Sequence, residues 1–269
     1  MEADMFVAPP IIDCHAHILT ARMPFADDAW TRPDYEYSVE SYLADLDRYG
    51  ISFGVIAAAS LYGDYNDYTL WALERHERLR ATIAPDPTAD LVTLQRLKEQ
   101  GVTGVRLQFK ERAGLPDFSS FAYSKYLCRL ADCGLHAELN ASGAQLSQIL
   151  PALKGRGVNI VVDHFGLLRS PAGMGGEGFQ AVLRALEYGN VWVKISAGFR
   201  LEPPVPQAAA AQLLAAGGAE RLLWGSDAPF VGKEQDVTYA RTLQMFQEII
   251  PDPATRRRIC DTALRFYFF

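Results

Sequence analysis

A chain of 269 residues that is 49% apolar and 22% charged is long enough to bury a full core and too hydrophobic for disorder. Its 26 Lys and Arg against 32 Asp and Glu give a net charge of −6, which opposes nucleic acid and anionic membrane surfaces as partners. No apolar run approaches the roughly 18 residues of a spanning helix, and the acidic start MEADMFVAPP lacks the basic and apolar stretches of a secretory signal.

Short β-rich apolar runs alternate with helical runs along the chain. Strands are expected over Pro10–Cys14, Phe53–Ala58, Leu79–Ala84, Gly104–Gln108, Leu135–Leu139, Val158–Val162, Val191–Ile195 and Arg221–Trp224. Val, Ile, Leu and Phe dominate each, as suits a strand buried on both faces. Helices are expected between them over Ser38–Tyr49, Asn66–His76, Leu91–Gln100, Ser119–Cys133, Ala144–Lys154, Gly178–Tyr188, Pro206–Ala216 and Gln235–Ile249. A short terminal helix, Pro253–Leu264, follows. Ser38 reads as a cap, Gly50, Gly101 and Gly134 as terminators, and Pro206 as a first-turn proline. Strict alternation implies parallel strands with right-handed crossovers, and eight of each at this length implies one α/β domain, a (β/α)8 TIM barrel. The four cysteines, without a C-x-x-C pair, read as reduced, mostly core thiols of a cytoplasmic protein.

In such a barrel the reactive groups belong at the C-terminal ends of the strands. The first strand ends in D-C-H-A-H, where His15 and His17, two residues apart, point the same way. His164 ends the sixth strand in V-V-D-H-F-G, with the neighbouring Asp163 expected to turn away or anchor a helix. Asp227 ends the eighth in W-G-S-D-A-P, where a carboxylate can bind metal or take a proton from water. Arg106 and Arg112 lie at the end of the fourth strand; Lys194, Ser196 and Arg200 lie at the end of the seventh. Guanidinium groups match carboxylates bidentately, so several of them around one mouth imply a small anionic substrate. His136 starts its strand, at the wrong end for the site, and is expected to be buried or paired. The same strand ends in Asn140 rather than a histidine. Gly173–Gly178 formally fits G-x-G-x-x-G but follows no strand directly, so it is expected to be a loop. Trp30 and the tyrosine-rich stretches 35–37 and 61–66 are candidates for walls of the pocket.

Taken together, I-I-D-C-H-A-H, G-V-R, V-V-D-H-F-G, W-V-K-I-S-A-G-F-R and W-G-S-D-A-P, in this order over residues 10–267, resemble the amidohydrolase superfamily and its amidohydrolase-2 group. V-K-I-S-A-G-F-R is most similar to the lactonase branch, which includes 2-pyrone-4,6-dicarboxylate lactonase, sulfomuconolactone hydrolase and sugar lactonases. The resemblance implies hydrolysis of a small carboxylated lactone. Asp227 would be the general base, His15, His17 and His164 would polarise the carbonyl, and Arg106, Arg112 and Arg200, with Ser196 beside them, would hold the substrate. Where the dicarboxylate lactonases would carry an arginine soon after D-H-x-G, this chain has Leu167 and, later, Arg169. The absent strand-five histidine and strand-four lysine imply no binuclear centre. In this reading no metal is required; if one is held, His15, His17, His164 and Asp227 would form a weak mononuclear Zn²⁺ or Mn²⁺ site. The alternative is a metal-dependent non-oxidative decarboxylase of the same group. A homo-oligomer stays open.

Overall fold

The computed structural model describes residues 9–110, 112 and 114–269, so nearly all of the acidic start lies outside the described residues. Eight strands form one sheet in chain order: β1 (Ile12–Ala16), β2 (Phe53–Ala57), β3 (Leu79–Ile83), β4 (Val102–Gln108), β5 (His136–Asn140), β6 (Ile160–Val162), β7 (Val191–Ser196) and β8 (Leu222–Gly225). Every ladder between neighbours is parallel. The seam between β8 and β1 is closed differently. An isolated bridge joins Ala16 to Ala228, and Asp227 N–H donates to the His15 carbonyl at 2.8 Å. Below it the buried Asp13 carboxylate accepts from Ser226 N–H, Ser226 Oγ, Tyr239 OH and His15 N–H. The sheet thus returns on itself as the expected (β/α)8 barrel.

The helices begin where polar caps satisfy their free N–H groups, each cap contributing about 1 kcal/mol. Ser38 accepts from Ser41 N–H, Asp90 from Thr93 N–H and Thr238 from Arg241 N–H. Ser142 and Gln145 cap one another reciprocally. Several boundaries differ from expectation. The helix expected from Gln235 starts at Tyr239, behind its Thr238 cap. The Gly173–Gly178 stretch spans a short helix, Pro171–Met174, and the start of the helix Glu177–Leu186. The terminal helix, expected to be short, runs 16 residues over Pro253–Phe268.

That extension has a physical cause. Tyr267 packs with Ile12, Cys14, Val55, Val161 and Leu223 in an apolar layer at the N-terminal end of the barrel. Phe266 and Tyr267 also touch the ring of His136, which is buried as expected, and Phe266 touches Trp192. Gly104 makes room for that ring, since a Cβ there would lie 2.5 Å from it. Two cysteines, Cys14 and Cys260, are buried, whereas Cys128 is exposed and Cys133 half-buried, so the thiols are less confined to the core than expected; all four are free. No helix of the described residues is long and apolar enough to cross a membrane.

Candidate active site

β1 ends two residues later than expected, so His15 lies within the strand and His17 just beyond it. Asp13 pairs with Gly54 but Ala16 with Ile56, so β1 holds one extra residue there. Such a bulge re-aims side chains beside a site. Cys14 joins the apolar layer below, while His15 faces the charged interior above it. His17 is pinned by its Nδ1, 2.8 Å from the Ala57 carbonyl. A carbonyl only accepts, so Nδ1 carries the proton there.

The loops after β6, β7 and β8 carry all six non-glycine residues with positive φ among the described residues: His164, Phe165, Leu167, Ala197, Asp227 and Phe230. The left-handed region costs an L-residue about 1–2 kcal/mol. Residues 164–167 form a complete left-handed turn, fixed by the fully buried Phe165 and by Gly166, whose Cβ would lie 3.1 Å from Val182 Cγ2. Such strain persists only where the surroundings over-determine it. Here it sets His164 and Asp227 over the mouth of the barrel.

The four residues expected at the reacting centre do come together. Asp227 Oδ1 lies 3.7 Å from His15 Nε2, 3.5 Å from His17 Nε2 and 3.6 Å from His164 Nε2. Its other oxygen, Oδ2, accepts from Arg200 Nε and Nη2 at 3.2 and 3.1 Å. Burial alone would raise the Asp227 pKa. The His164 and His17 imidazoles, Arg200 and His15 outweigh it and hold the carboxyl well below the usual range. Burial and Lys194 push His15 down to about 3, so its ring is neutral. Ser196, itself 2% exposed, sets His164 through Oγ–Nδ1 contact at 2.7 Å; its hydroxyl supports the imidazole rather than reaching out to a ligand.

Beneath this ring lies a layer of four buried charges. Arg106 donates to Asp163 Oδ2 from Nε and Nη2 at 3.0 and 2.8 Å and to the Ala58 carbonyl at 2.7 Å; its Nε also lies 3.0 Å from Glu138 Oε1. Lys194 Nζ donates to Glu138 Oε2 and lies 3.0 Å from His15 Nδ1 and 3.7 Å from Asp163 Oδ1. One expectation changes here: Asp163 does not turn away but faces inward, 3.4 Å from His15. Arg106, expected to hold substrate, gives its guanidinium to Asp163, Glu138 and Ala58 while its side chain also borders the cavities over the site. Glu138 escaped the sequence reading, although a lone acid inside the apolar run L-H-A-E-L was its signal.

A cavity of about 220 Å³ opens directly on His17, His164, Arg200 and Asp227. A second, about 510 Å³, extends toward the loops after β3 and β4 and contains Arg112. The two share Trp30, Ser60, Arg106, Lys110 and Asn140 as walls. Trp30 is 52% exposed and does wall the pocket, and the 61–66 stretch adds Leu61, Gly63 and Asp64 to its walls, while Tyr62 within it is buried and stacked on Phe25.

The donor atoms of His15, His164 and Asp227 lie within 4.8 Å of one another, compact enough to suggest a metal. Separations of 3.5–3.7 Å suit neighbouring ligands of an ion with bonds of about 2.0–2.2 Å. The hydrogen bonding does not suit all of them. A metal-binding imidazole passes its other N–H to a carbonyl or carboxylate. His17 does so, to Ala57, but the Nδ1 of His15 lies nearest the Lys194 ammonium, at 3.0 Å, which accepts nothing, with the Asp163 carboxylate farther off at 3.4 Å.

Residues 12–269 match the model of a family described as amidohydrolase. A 4-sulfomuconolactone hydrolase from Rhizobium radiobacter is 30% identical over 92% of this chain and 86% of its own length. A 2-pyrone-4,6-dicarboxylate hydrolase from Comamonas testosteroni is 26% identical over 81% and 76% of the two chains. Among solved structures, a probable 2-pyrone-4,6-dicarboxylic acid hydrolase from Acinetobacter baumannii, with citric acid bound, superposes with a TM-score of 0.92 at 28% identity, covering 97% of this chain and 100% of that one. The chain belongs to the amidohydrolase family.

Proposed function

We propose that the protein hydrolyses a small carboxylated lactone, of the kind its relatives' names describe, by water that Asp227 activates. One observation carries this reading: a buried, ionised carboxylate with Oδ2 clasped by Arg200 and Oδ1 ringed by three imidazole nitrogens. Arg200 leaves Oδ1 as the atom that can take a proton from water. The water oxygen bonds to the lactone carbonyl carbon, and its proton passes to Oδ1. The His15 and His164 rings, whose Nε2 can carry the proton, face the carbonyl oxygen as it gains charge, whereas His17, with its proton on Nδ1, offers Nε2 to the site as an acceptor for the water. The ring C–O bond then breaks, and the departing ring oxygen recovers the proton from Asp227. Arg200 weakens the base while it holds it. An anionic substituent that draws the half-exposed guanidinium to itself raises the basicity of Asp227 on binding. Arg112, on the wall of the larger cavity, receives a second anionic group.

The scheme uses no resident metal, a reading supported by the contact of His15 Nδ1 with the Lys194 ammonium. The substrate is the one partner the scheme requires. The four free thiols favour a cytoplasmic setting. The test is acid release from 4-sulfomuconolactone and from 2-pyrone-4,6-dicarboxylate by the purified protein and by Asp227→Asn. The native chain opens at least one ring, and the variant loses about 10²–10⁴ in kcat with binding retained. A native chain inert toward carboxylated lactones, or a variant with native kcat, refutes the assignment.

A further inference from the structure

We infer that Lys194 is a positioning residue that fixes His15 as the Nε2–H tautomer, so that His15 donates a hydrogen bond to the lactone carbonyl oxygen as it becomes an oxyanion. The second half of this inference rests on the hydrolytic reading above; the first half does not.

The argument starts from what each atom can do. Lys194 is fully buried, and its Nζ touches three groups: Glu138 Oε2, His15 Nδ1 at 3.0 Å and Asp163 Oδ1 at 3.7 Å. An ammonium has three donors and no acceptor. Against it, His15 Nδ1 must be the acceptor. The competing arrangement gives Nδ1 the proton and lets it donate to Asp163 Oδ1, but that contact is longer, at 3.4 Å. It would also set an N–H against an ammonium. The charge count agrees: Arg106 and Lys194 balance Glu138 and Asp163 when the imidazole is neutral.

With Nδ1 accepting, the proton sits on Nε2. That nitrogen is buried and has no hydrogen-bond partner among the described residues. Asp227 Oδ1, at 3.7 Å, is beyond hydrogen-bond reach. A buried donor left unpaired carries a desolvation cost, which the fold recovers only when a ligand atom arrives between the histidines and Asp227. The two histidines of H-A-H therefore differ. His17 holds its proton on Nδ1 through Ala57, and His15 holds its proton on Nε2 through Lys194. An oxyanion donor of this kind is worth about 10²–10³ in kcat.

The experiment is the long-range ¹H–¹⁵N spectrum of the full chain labelled at its five histidines, with His15 assigned by loss of its signals in His15→Gln. The native chain should show His15 protonated at Nε2. Lys194→Met removes the donor, so the proton should move to Nδ1, with kcat falling about 10²-fold and KM changing less than about threefold. Lys194→Gln, whose amide can still donate to Nδ1, should recover part of kcat and the native tautomer. A native spectrum with His15 protonated at Nδ1 overturns the inference whether or not the variants fold. So does Lys194→Met with native kcat. If the native chain opens no lactone, the hydrolytic reading falls, while the spectrum still decides what Lys194 does to His15.

Discussion

Replacing Arg106 with Met separates an internal role from a substrate clamp. The side chain is 4% exposed, and its guanidinium is bound by Asp163, Glu138 and the Ala58 carbonyl. Methionine fills much of the volume but leaves Glu138 and Asp163 sharing the Lys194 charge alone. Removing one partner from a buried pair costs about 3–5 kcal/mol. At about 2–4 °C per kcal/mol for a chain near this size, the melting temperature should fall by roughly 6–20 °C. Circular dichroism against temperature reads this directly. Asp163→Asn on the same background restores charge neutrality and should recover on the order of 1–3 kcal/mol of the loss. A melting temperature within about 2 °C of the native value, together with a KM raised about tenfold for an anionic lactone, would refute the reasoning and return Arg106 to the substrate.

Acid should destabilise the fold well before surface carboxylates titrate. His15 is held neutral down to about 3, so below about 6.5 the unfolded chain binds a proton that the folded chain refuses, and stability falls between those values. Asp163, pulled down by Arg106, His15 and Lys194 against the opposing effect of burial, acts in the same direction at lower pH. Its contribution is complete above the unfolded carboxylate pKa and is lost as pH falls toward the depressed folded one. Melting temperature measured from pH 7 to 4 should decline, and His15→Gln should flatten the upper part of that decline. Gly166→Ala meets both a φ of +72° and a 3.1 Å contact with Val182, and should cost about 1–3 kcal/mol and lower kcat by displacing His164; a native melting curve would contradict this. Prolonged chelation should leave most turnover intact, and complete loss restored by stoichiometric Zn²⁺ would contradict the metal-free scheme.

The barrel was legible because eight apolar runs alternate with eight capped helical runs, and that alternation leaves few topologies. His15, His17, His164 and Asp227 were legible because strand ends in such a barrel share one face. The bulge in β1 was not, since one extra residue leaves no trace in an unbroken apolar-to-polar run. The pairing of Arg106, Glu138, Asp163 and Lys194 was not legible either. Each shows only as a charge within or beside a buried strand. Which charge meets which depends on register across the barrel, at separations of 31 to 57 residues along the chain. The aromatic tail after Leu264 looked like the end of a helix, because its partners His136 and Trp192 lie far away in sequence.

The two ends of the barrel divide the energetic work. At the N-terminal end, Tyr267 and its neighbours fill the interior with well-packed apolar surface, each large side chain contributing about 1.5–3 kcal/mol. At the C-terminal end, three left-handed non-glycine residues in one turn, another at Asp227 and an unpaired donor on His15 each cost on the order of 1–3 kcal/mol. The charged layer lies between them, where Arg106 and Lys194 hold Asp163 and His15 by ion pairs and hydrogen bonds beneath the strained loops. A carbonyl oxygen that pairs with His15 Nε2 relieves a cost the free protein cannot, and an anionic group on the same ligand gives Arg200 a new partner as it leaves Asp227. That is why the site should favour a substrate carrying both a carbonyl oxygen and an anionic group, and why a neutral lactone of the same ring should be opened more slowly.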